Sequence, residues 1–230
     1  MCIIIFTYLI IAIFNVTDPA EPWMWIRNRH ILICINKVFE KIFFNYSKIY
    51  FLLTLKILIT GSAGFIGYHL CRSLLDDGWE ILGIDNINNY YDHKIKYDRL
   101  KMLLNYSNFT FEKIDIADKA PLESRFNSFC PQKVVNLAAQ PGVRYSLDNP
   151  DIYMTSNIVG FLNIIELCRH SNVDGLVYAS SSSVYGGNNK IPYTVSDNVD
   201  KPLSLYGVTK RANELIAHSY SSLFNLNTTG

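Results

Sequence analysis

The feature that most constrains the fold is a regular alternation of short apolar runs with longer amphipathic segments, which starts at Leu55. The apolar runs predict buried strands, and they are LKILIT at 55–60, EILGID at 80–85, FTFEKID at 109–115, VVNLAA at 134–139 and GLVYAS at 175–180. Apolar residues at helical spacing occupy 65–76, 94–104, 121–129, 151–169 and 203–224. This β-α alternation predicts an α/β fold with a doubly wound parallel sheet and flanking helices.

Residues 1–54 differ in composition from the rest of the chain, because all 12 glycines lie from Gly61 onward. Residues 1–17 carry no charge and are just long enough for a membrane span, but they lack the basic start and cleavage site of a secretory signal. Two interpretations stay open for 1–54: an N-terminal extension outside the functional domain, or a short membrane anchor. We expect the functional domain to be 55–230 and any membrane contact to involve only residues 1–17.

Charge and cysteine content exclude several classes of partner. The 21 basic and 20 acidic residues nearly cancel and no basic run is present, so no nucleic-acid partner is expected. The five cysteines are odd in number and include no CxxC pair. We therefore expect reduced thiols, no metal site and a cytoplasmic protein, with a membrane-anchored form as the alternative.

A glycine-rich loop separates the first predicted strand from the first predicted helix. The segment ITGSAGFIG supplies Gly61, Gly64 and Gly67 in the pattern G-x-x-G-x-x-G. Glycines here allow a tight turn, and the following helix directs its positive end and its free N–H groups at a pyrophosphate. The strand-loop-helix context predicts a dinucleotide site in a Rossmann-like fold, with a purely structural turn as the alternative.

Acidic residues follow the second and third predicted strands. Asp85 lies 18 residues after Gly67, close to the spacing at which a carboxylate binds the adenosine ribose. A carboxylate there repels a 2′-phosphate, which favours NAD over NADP; a loop cap is the alternative role. Asp115 and Ile116 are candidates to contact the adenine.

A tyrosine and a lysine share one face of the last predicted helix. Tyr206 and Lys210 are four residues apart in SLYGVTKRANELI. A nearby ammonium favours the phenolate, and a hydroxyl opposite it can hold a substrate oxygen and relay a proton. The run ASSSSVYGG at 179–187, which ends the fifth strand, supplies such a hydroxyl. We expect a catalytic role, although Y-x-x-x-K also occurs on ordinary helix surfaces.

From Leu55 onward the chain resembles the extended short-chain dehydrogenase/reductase superfamily, in its nucleotide-sugar epimerase and dehydratase branch. The segments AAQPGVRYS (138–146), DNINNYYDHKIKYDRLKML (85–103) and ASSSSVYGG are similar to UDP-glucuronate 4-epimerases. Dehydratases of this branch carry an Asp-Glu pair where this chain has serines, which disfavours dehydration. The AAQPGVR segment disfavours decarboxylation.

The resemblance implies a role for each matching residue. Tyr206 would be the catalytic base, Lys210 would bind the nicotinamide ribose, and Ser181 would be the catalytic hydroxyl, because it lies 25 residues before the tyrosine. Arg144 would bind the anionic substrate, or else be a solvated loop residue, and Ser182 and Ser183 would position the substrate. The implied NAD-binding residues are Gly61, Gly64, Phe65, Ile66, Gly67, Asp85, Asn86, Asp115, Ile116, Leu137, Ala138, Ala139, Asn157, Tyr206 and Lys210.

The resemblance also implies a reaction, which is C4 epimerisation of UDP-glucuronate to UDP-galacturonate. Tyr206, bridged by Ser181, would take the proton of the 4-hydroxyl while the C4 hydride passes to NAD. The 4-keto sugar would rotate and receive the hydride on its other face. A non-enzymatic NAD-binding fragment and an epimerase of another nucleotide sugar, such as UDP-galactose, stay open as alternatives.

Two expectations concern the whole protein. Members of this family carry a smaller C-terminal domain that closes over the UDP-sugar. We expect that domain to be largely missing here, the chain to be C-terminally truncated and its isolated activity to be weak or absent. The family also implies a homodimer, formed through helices 94–104 and 203–224.

Overall fold

A parallel sheet of six strands organises the protein in the computed structural model, which describes residues 55–171 and 173–230. The spatial order is β3-β2-β1-β4-β5-β6, and every pairing is parallel. The strands are β1 (Lys56–Thr60), β2 (Glu80–Asp85), β3 (Phe109–Lys113), β4 (Lys133–Asn136), β5 (Gly175–Tyr178) and β6 (Thr228–Thr229). This order is that of a Rossmann-like sheet, so the predicted fold class is confirmed.

Helices connect the strands and cover both faces of the sheet. They are α1 (Phe65–Asp76), α2 (His93–Leu103), α3 (Lys119–Phe129), α4 (Tyr145–Asp148), α5 (Pro150–Tyr153), α6 (Gly160–His170) and α7 (Leu205–Phe224). A 3-10 helix, Ser182–Tyr185, follows β5. Four of the five predicted helices are confirmed to within two residues at each end.

The prediction of one continuous α-helix over 151–169 is wrong for the middle of that range. A π-helical segment, Met154–Val159, joins α5 to α6. The buried residue Asn157 lies within it, and its carbonyl oxygen accepts a hydrogen bond from Asn213 Nδ2 of α7 at 2.7 Å. Such segments are frequent at functional sites, and apolar spacing does not reveal them.

The alternating side chains of each strand divide the core into two layers. Leu58 of β1 belongs to the layer that contains Phe126 of α3 and Phe161 of α6. Its neighbours Ile57 and Ile59 point to the opposite layer, which also holds apolar residues of α1 and α2. Burial of the sheet on both faces explains why the central strands β1 and β2 are almost continuously apolar.

The strand order reverses between β1 and β4, and this point is the place where parallel α/β sheets open a crevice. The two strand ends are tied together there. Thr60 Oγ1 donates to Asn136 Oδ1 at 2.6 Å and accepts from the Ala138 backbone N–H at 3.1 Å. Hydrogen bonds therefore hold in place the two strand ends at which the crevice opens.

The expectations for residues 1–54, together with Cys2 and Cys34, lie outside the residues that the structure describes. Among the described helices, none combines the length and the apolarity that a membrane crossing requires. Cys71, Cys130 and Cys168 are free thiols. Burial raises the pKa of Cys71 and of Cys168 to about 12, so both remain protonated and unreactive near neutral pH.

Candidate active site

A cavity of about 490 Å³ lies at the carboxyl ends of the strands, where the sheet order reverses. It is lined by most of the residues predicted for the dinucleotide and for catalysis. Those are Gly61, Gly64, Phe65, Ile66, Gly67, Asp85, Asn86, Asp115, Ile116, Leu137, Ala138, Ala139, Tyr206 and Lys210. Segments more than 140 residues apart in the sequence thus share one site.

The glycine loop presents an open helix N-terminus to this cavity. Gly64 is the N-cap of α1, and no side chain caps the first turn. The first N–H that finds a partner in this turn belongs to Tyr68, which donates to the Gly64 carbonyl oxygen at 3.0 Å. In the part of the chain that the structure describes, the N–H groups of 65–67 are therefore available to a ligand. This arrangement fits a pyrophosphate.

Two of the loop positions accept only glycine. Gly61 has a φ of +70°, and a Cβ there would lie 2.8 Å from the Ala138 backbone nitrogen. A Cβ on Gly67 would collide with the Gly61 carbonyl oxygen. The close contact between loop, α1 and the end of β4 depends on these two residues.

Asp85 caps the following loop and also lines the cavity, so its predicted contact with the adenosine ribose stays a prediction. Its side chain is buried, lines the cavity, and caps the following loop by accepting from the Ile87 N–H at 2.8 Å. It also accepts from the Ala63 N–H at 3.2 Å, which ties the glycine loop to β2. Beside it, Asn86 Nδ2 donates to Asp115 Oδ2 at 2.8 Å.

Tyr206 and Lys210 line the cavity from the first turns of α7. The N-cap Ser204 accepts from the Gly207 N–H at 3.0 Å and so fixes the start of this helix. Lys210 is buried, and its Nζ donates to the Ala179 carbonyl oxygen at the end of β5, at 2.8 Å. Burial lowers the pKa of Lys210 from 10.5 to about 8, which leaves it mostly protonated at neutral pH.

The four serines occupy different positions. Ser180 lines the cavity, and its hydroxyl donates to Glu214 of α7 at 2.5 Å. Ser181 is the N-cap of the 3-10 helix, where its Oγ accepts from the Ser183 N–H at 3.2 Å. Ser181, Ser182 and Ser183 are not among the residues that line the cavity, and their proposed roles stay predictions.

Asn157 and Arg144 also lie outside the cavity lining. Asn157 is buried behind it: Oδ1 accepts from the Gln140 N–H at 2.7 Å, and Nδ2 donates to the Gln140 carbonyl at 3.1 Å and to Thr209 Oγ1 at 3.0 Å. It therefore ties the loop after β4 to α7. Arg144 is exposed at the start of α4.

Sequence reasoning missed several lining residues, of which Lys96 and Arg99 carry charge. Lys96 had a detectable signal, because it stands with Leu100 and Leu103 at the spacing of the buried face of α2. A lysine in an apolar stripe requires a buried partner. Glu214, the hydrogen-bond partner of Ser180, had no comparable signal.

In 55–171 and 173–230, no group of three or more potential metal ligands comes together. Residues 57–230 match the model of the NAD dependent epimerase/dehydratase family. The chain belongs to that family. The resemblance to the nucleotide-sugar epimerase and dehydratase branch is thereby confirmed.

Proteins with sequences similar to this chain include UDP-glucuronate 4-epimerases. Protein CapI of Staphylococcus aureus is 55% identical over 176 residues, which cover 76% of this chain and 52% of that one. UDP-glucuronate 4-epimerase 3 of Arabidopsis thaliana is 45% identical over 175 residues, which cover 76% and 40%. This chain thus spans about half the length, or less, of these relatives.

The structural comparison agrees with the sequence comparison. The crystal structure of UDP-glucuronic acid 4-epimerase from Bacillus cereus, in complex with UDP-glucuronic acid and NAD, matches with a TM-score of 0.71 and 34% identity. The match covers 76% of this chain and 55% of that one. The match therefore covers about half of that epimerase, and residues 57–230 of this chain, which match the family model, include the glycine loop and the tyrosine-lysine pair.

Proposed function

We propose that residues 55–230 bind NAD and form the cofactor-binding and proton-transfer half of a nucleotide-sugar 4-epimerase, with UDP-glucuronate as its substrate. One observation carries the proposal. A single cavity joins the open N-terminus of α1 and Asp85 to Tyr206 and Lys210. An isomerase of this kind needs both parts, because its cofactor takes the hydride from C4 while its base takes the proton of the hydroxyl group on C4.

The lining fits the three parts of NAD. We assign Asp85 to the adenosine ribose, the N-terminus of α1 to the pyrophosphate and Lys210 to the nicotinamide ribose, and their positions in one cavity support this assignment. When bound, NAD would supply reversible acceptance of the C4 hydride. The protein contributes orientation and proton transfer.

Proton transfer is assigned to Tyr206. In the proposed reaction its phenolic oxygen takes the proton of the sugar's 4-hydroxyl and later returns it. The Lys210 ammonium, one helical turn away and held on the Ala179 carbonyl, stabilises the negative charge that this transfer requires. Ser181 is proposed as the bridging hydroxyl.

The uronate substrate is supported by the similarity to UDP-glucuronate 4-epimerases. The exposed guanidinium of Arg144 is proposed to bind the hexuronate carboxylate or the diphosphate. Ser182 and Ser183 are proposed to position the sugar. The second candidate is the same reaction on another UDP-sugar, such as UDP-galactose.

The test is incubation of the full chain with NAD and UDP-glucuronate, followed by ¹H NMR of the sugar. Even slow formation of UDP-galacturonate would support the proposal, and Tyr206→Phe should abolish that formation while NAD still binds. Tyr97→Phe, an exposed tyrosine on α2, is the matched control and should retain the wild-type rate. NAD binding without any conversion would favour the non-enzymatic fragment; conversion of UDP-galactose alone would favour the second candidate.

A further inference from the structure

Tyr153, the last residue of α5, is the largest fully buried side chain in the part of the chain that the structure describes. It does not line the cavity, but it contacts two residues that do, Pro141 and Tyr206. Pro141 belongs to the loop after β4 and Tyr206 to the first turn of α7, so the two are more than 60 residues apart in sequence. A single buried side chain therefore connects two walls of the cavity.

The hydroxyl group of Tyr153 holds the loop after β4. Its oxygen lies 2.7 Å from the Pro141 carbonyl oxygen and 2.6 Å from the Gly142 carbonyl oxygen, to which it donates. The φ of Gly142 is +100°, a conformation that glycine adopts readily, and it turns these two successive carbonyl groups toward one hydroxyl. Burial raises the pKa of Tyr153, so this hydroxyl stays protonated and remains a donor at neutral pH.

The same loop continues directly into Arg144, which is proposed to bind the anionic part of the substrate. Ser146 Oγ donates to the Val143 carbonyl oxygen at 2.6 Å and so closes the turn in which Arg144 lies. The position of this turn is set by the loop residues before it, which the Tyr153 hydroxyl holds. Tyr153 therefore fixes the backbone from which the Arg144 guanidinium extends.

The ring of Tyr153 packs edge-on against the ring of Tyr206, with the centroids 6.2 Å apart and the ring planes at 74°. Tyr206 itself lines the cavity, next to Lys210. A base that serves a cofactor and a sugar in one reaction needs a fixed orientation, because a displacement of about 1 Å can cost about a hundredfold in rate. The Tyr153 ring supplies that restraint from the buried side of the cavity wall.

We propose that Tyr153 is a positioning residue of the epimerase site, whose ring orients Tyr206 and whose hydroxyl fixes the loop that carries Arg144. This inference rests on the proposed function. Tyr153 lies outside the cavity lining, so it acts through the base on one side and through a substrate-binding loop on the other. The two parts of its side chain can be removed one at a time.

Steady-state kinetics of UDP-glucuronate conversion by the full chain, followed by ¹H NMR, separates the two parts. Tyr153→Phe keeps the ring and removes the hydrogen bonds to the loop, so it should raise the KM for UDP-glucuronate about tenfold and leave kcat within about twofold of the wild type. Tyr153→Leu also removes the ring and should lower kcat about a hundredfold. Tyr97→Leu, at an exposed tyrosine of α2, is the matched control and should retain both constants.

¹⁹F NMR of protein labelled with 3-fluorotyrosine tests the contact between the two rings without any conversion of sugar. The resonance of Tyr206 is assigned by its absence in Tyr206→Phe. It should shift in Tyr153→Leu and keep its position in Tyr97→Leu. Circular dichroism verifies the fold of each variant. Should Tyr153→Leu fail to fold, Tyr206→Leu gives the reciprocal measurement, in which the resonance of Tyr153, assigned with Tyr153→Phe, should shift.

Three results in folded variants would each overturn the inference. They are a wild-type KM in Tyr153→Phe, a kcat in Tyr153→Leu no lower than that in Tyr153→Phe, and an unshifted resonance in the ¹⁹F measurement. A wild type that converts no UDP-glucuronate would instead refute the proposed function for this chain. The ¹⁹F result alone would then decide whether Tyr153 orients Tyr206.

Discussion

Substitution of Asn157 by alanine tests whether this residue ties two elements together or contacts the cofactor, as the family resemblance implies. The alanine variant loses three side-chain hydrogen bonds, to the N–H and the carbonyl of Gln140 and to Thr209. It retains the bond from Asn213, because that bond ends on the main-chain carbonyl of residue 157. At about 1 kcal/mol for each bond, the free energy of unfolding should fall by about 3 kcal/mol.

Urea unfolding followed by circular dichroism measures this loss. With a slope of about 2 kcal/mol/M, the midpoint should move down by about 1.5 M. Asn105→Ala, an exposed asparagine, is the control and should stay within about 0.5 kcal/mol of the wild type. A loss below about 1 kcal/mol would refute the tie. Unchanged stability with a large loss of NAD affinity would instead support a direct contact between Asn157 and the cofactor.

Two further substitutions probe the cavity wall. Because the pKa of Lys210 falls from 10.5 to about 8 on folding, the unfolded chain binds more protons between pH 8 and 10.5, and stability rises with pH across that window. The wild type should therefore gain up to about 3 kcal/mol in free energy of unfolding, relative to Lys210→Met, between pH 7.5 and pH 10.5. A difference that stays constant with pH would contradict the lowered pKa of Lys210. Gly67→Ala should lower the free energy of unfolding by about 1–3 kcal/mol and weaken NAD binding, because the added Cβ meets the Gly61 carbonyl. Gly187→Ala is the control, since Gly187 has room for a Cβ. Equal denaturation midpoints for the two variants would contradict this prediction.

Features set by local sequence could be predicted before the structure. β1 and β2 are apolar runs bounded by polar residues and turns, and the glycine loop between them has a spacing that few other structures require. The predicted ends of these strands agree with the structure to within one residue. The same holds for α1, whose N-terminus is set by Gly64.

Features set by contacts between distant segments could not be predicted in this way. In the π-helical segment, the Asn157 carbonyl oxygen accepts a hydrogen bond from Asn213, more than 50 residues away in sequence, and apolar spacing does not reveal that contact. The partner of Ser180 is Glu214, which looks like an ordinary charged residue of an amphipathic helix. The family motif predicts a cofactor contact for Asn157, but its side-chain hydrogen bonds join it to Gln140 and Thr209, neither of which lines the cavity.

The π-helical segment also decides where the chain can change in length. Its turns are closed by i→i+5 hydrogen bonds and take about one residue more than α-helical turns, so the segment accommodates an extra residue while α5 and α6 keep nearly the same rotational phase. A single deletion that converted residues 154–159 to regular α-helix should therefore leave Tyr153 beside the loop that it supports, where its hydroxyl lies 2.7 Å from the Pro141 carbonyl oxygen. A deletion within α6 would instead rotate α5 by about 100° relative to the rest of α6, so we expect the chain to tolerate the loss of one residue far better inside the π-helical segment than beside it.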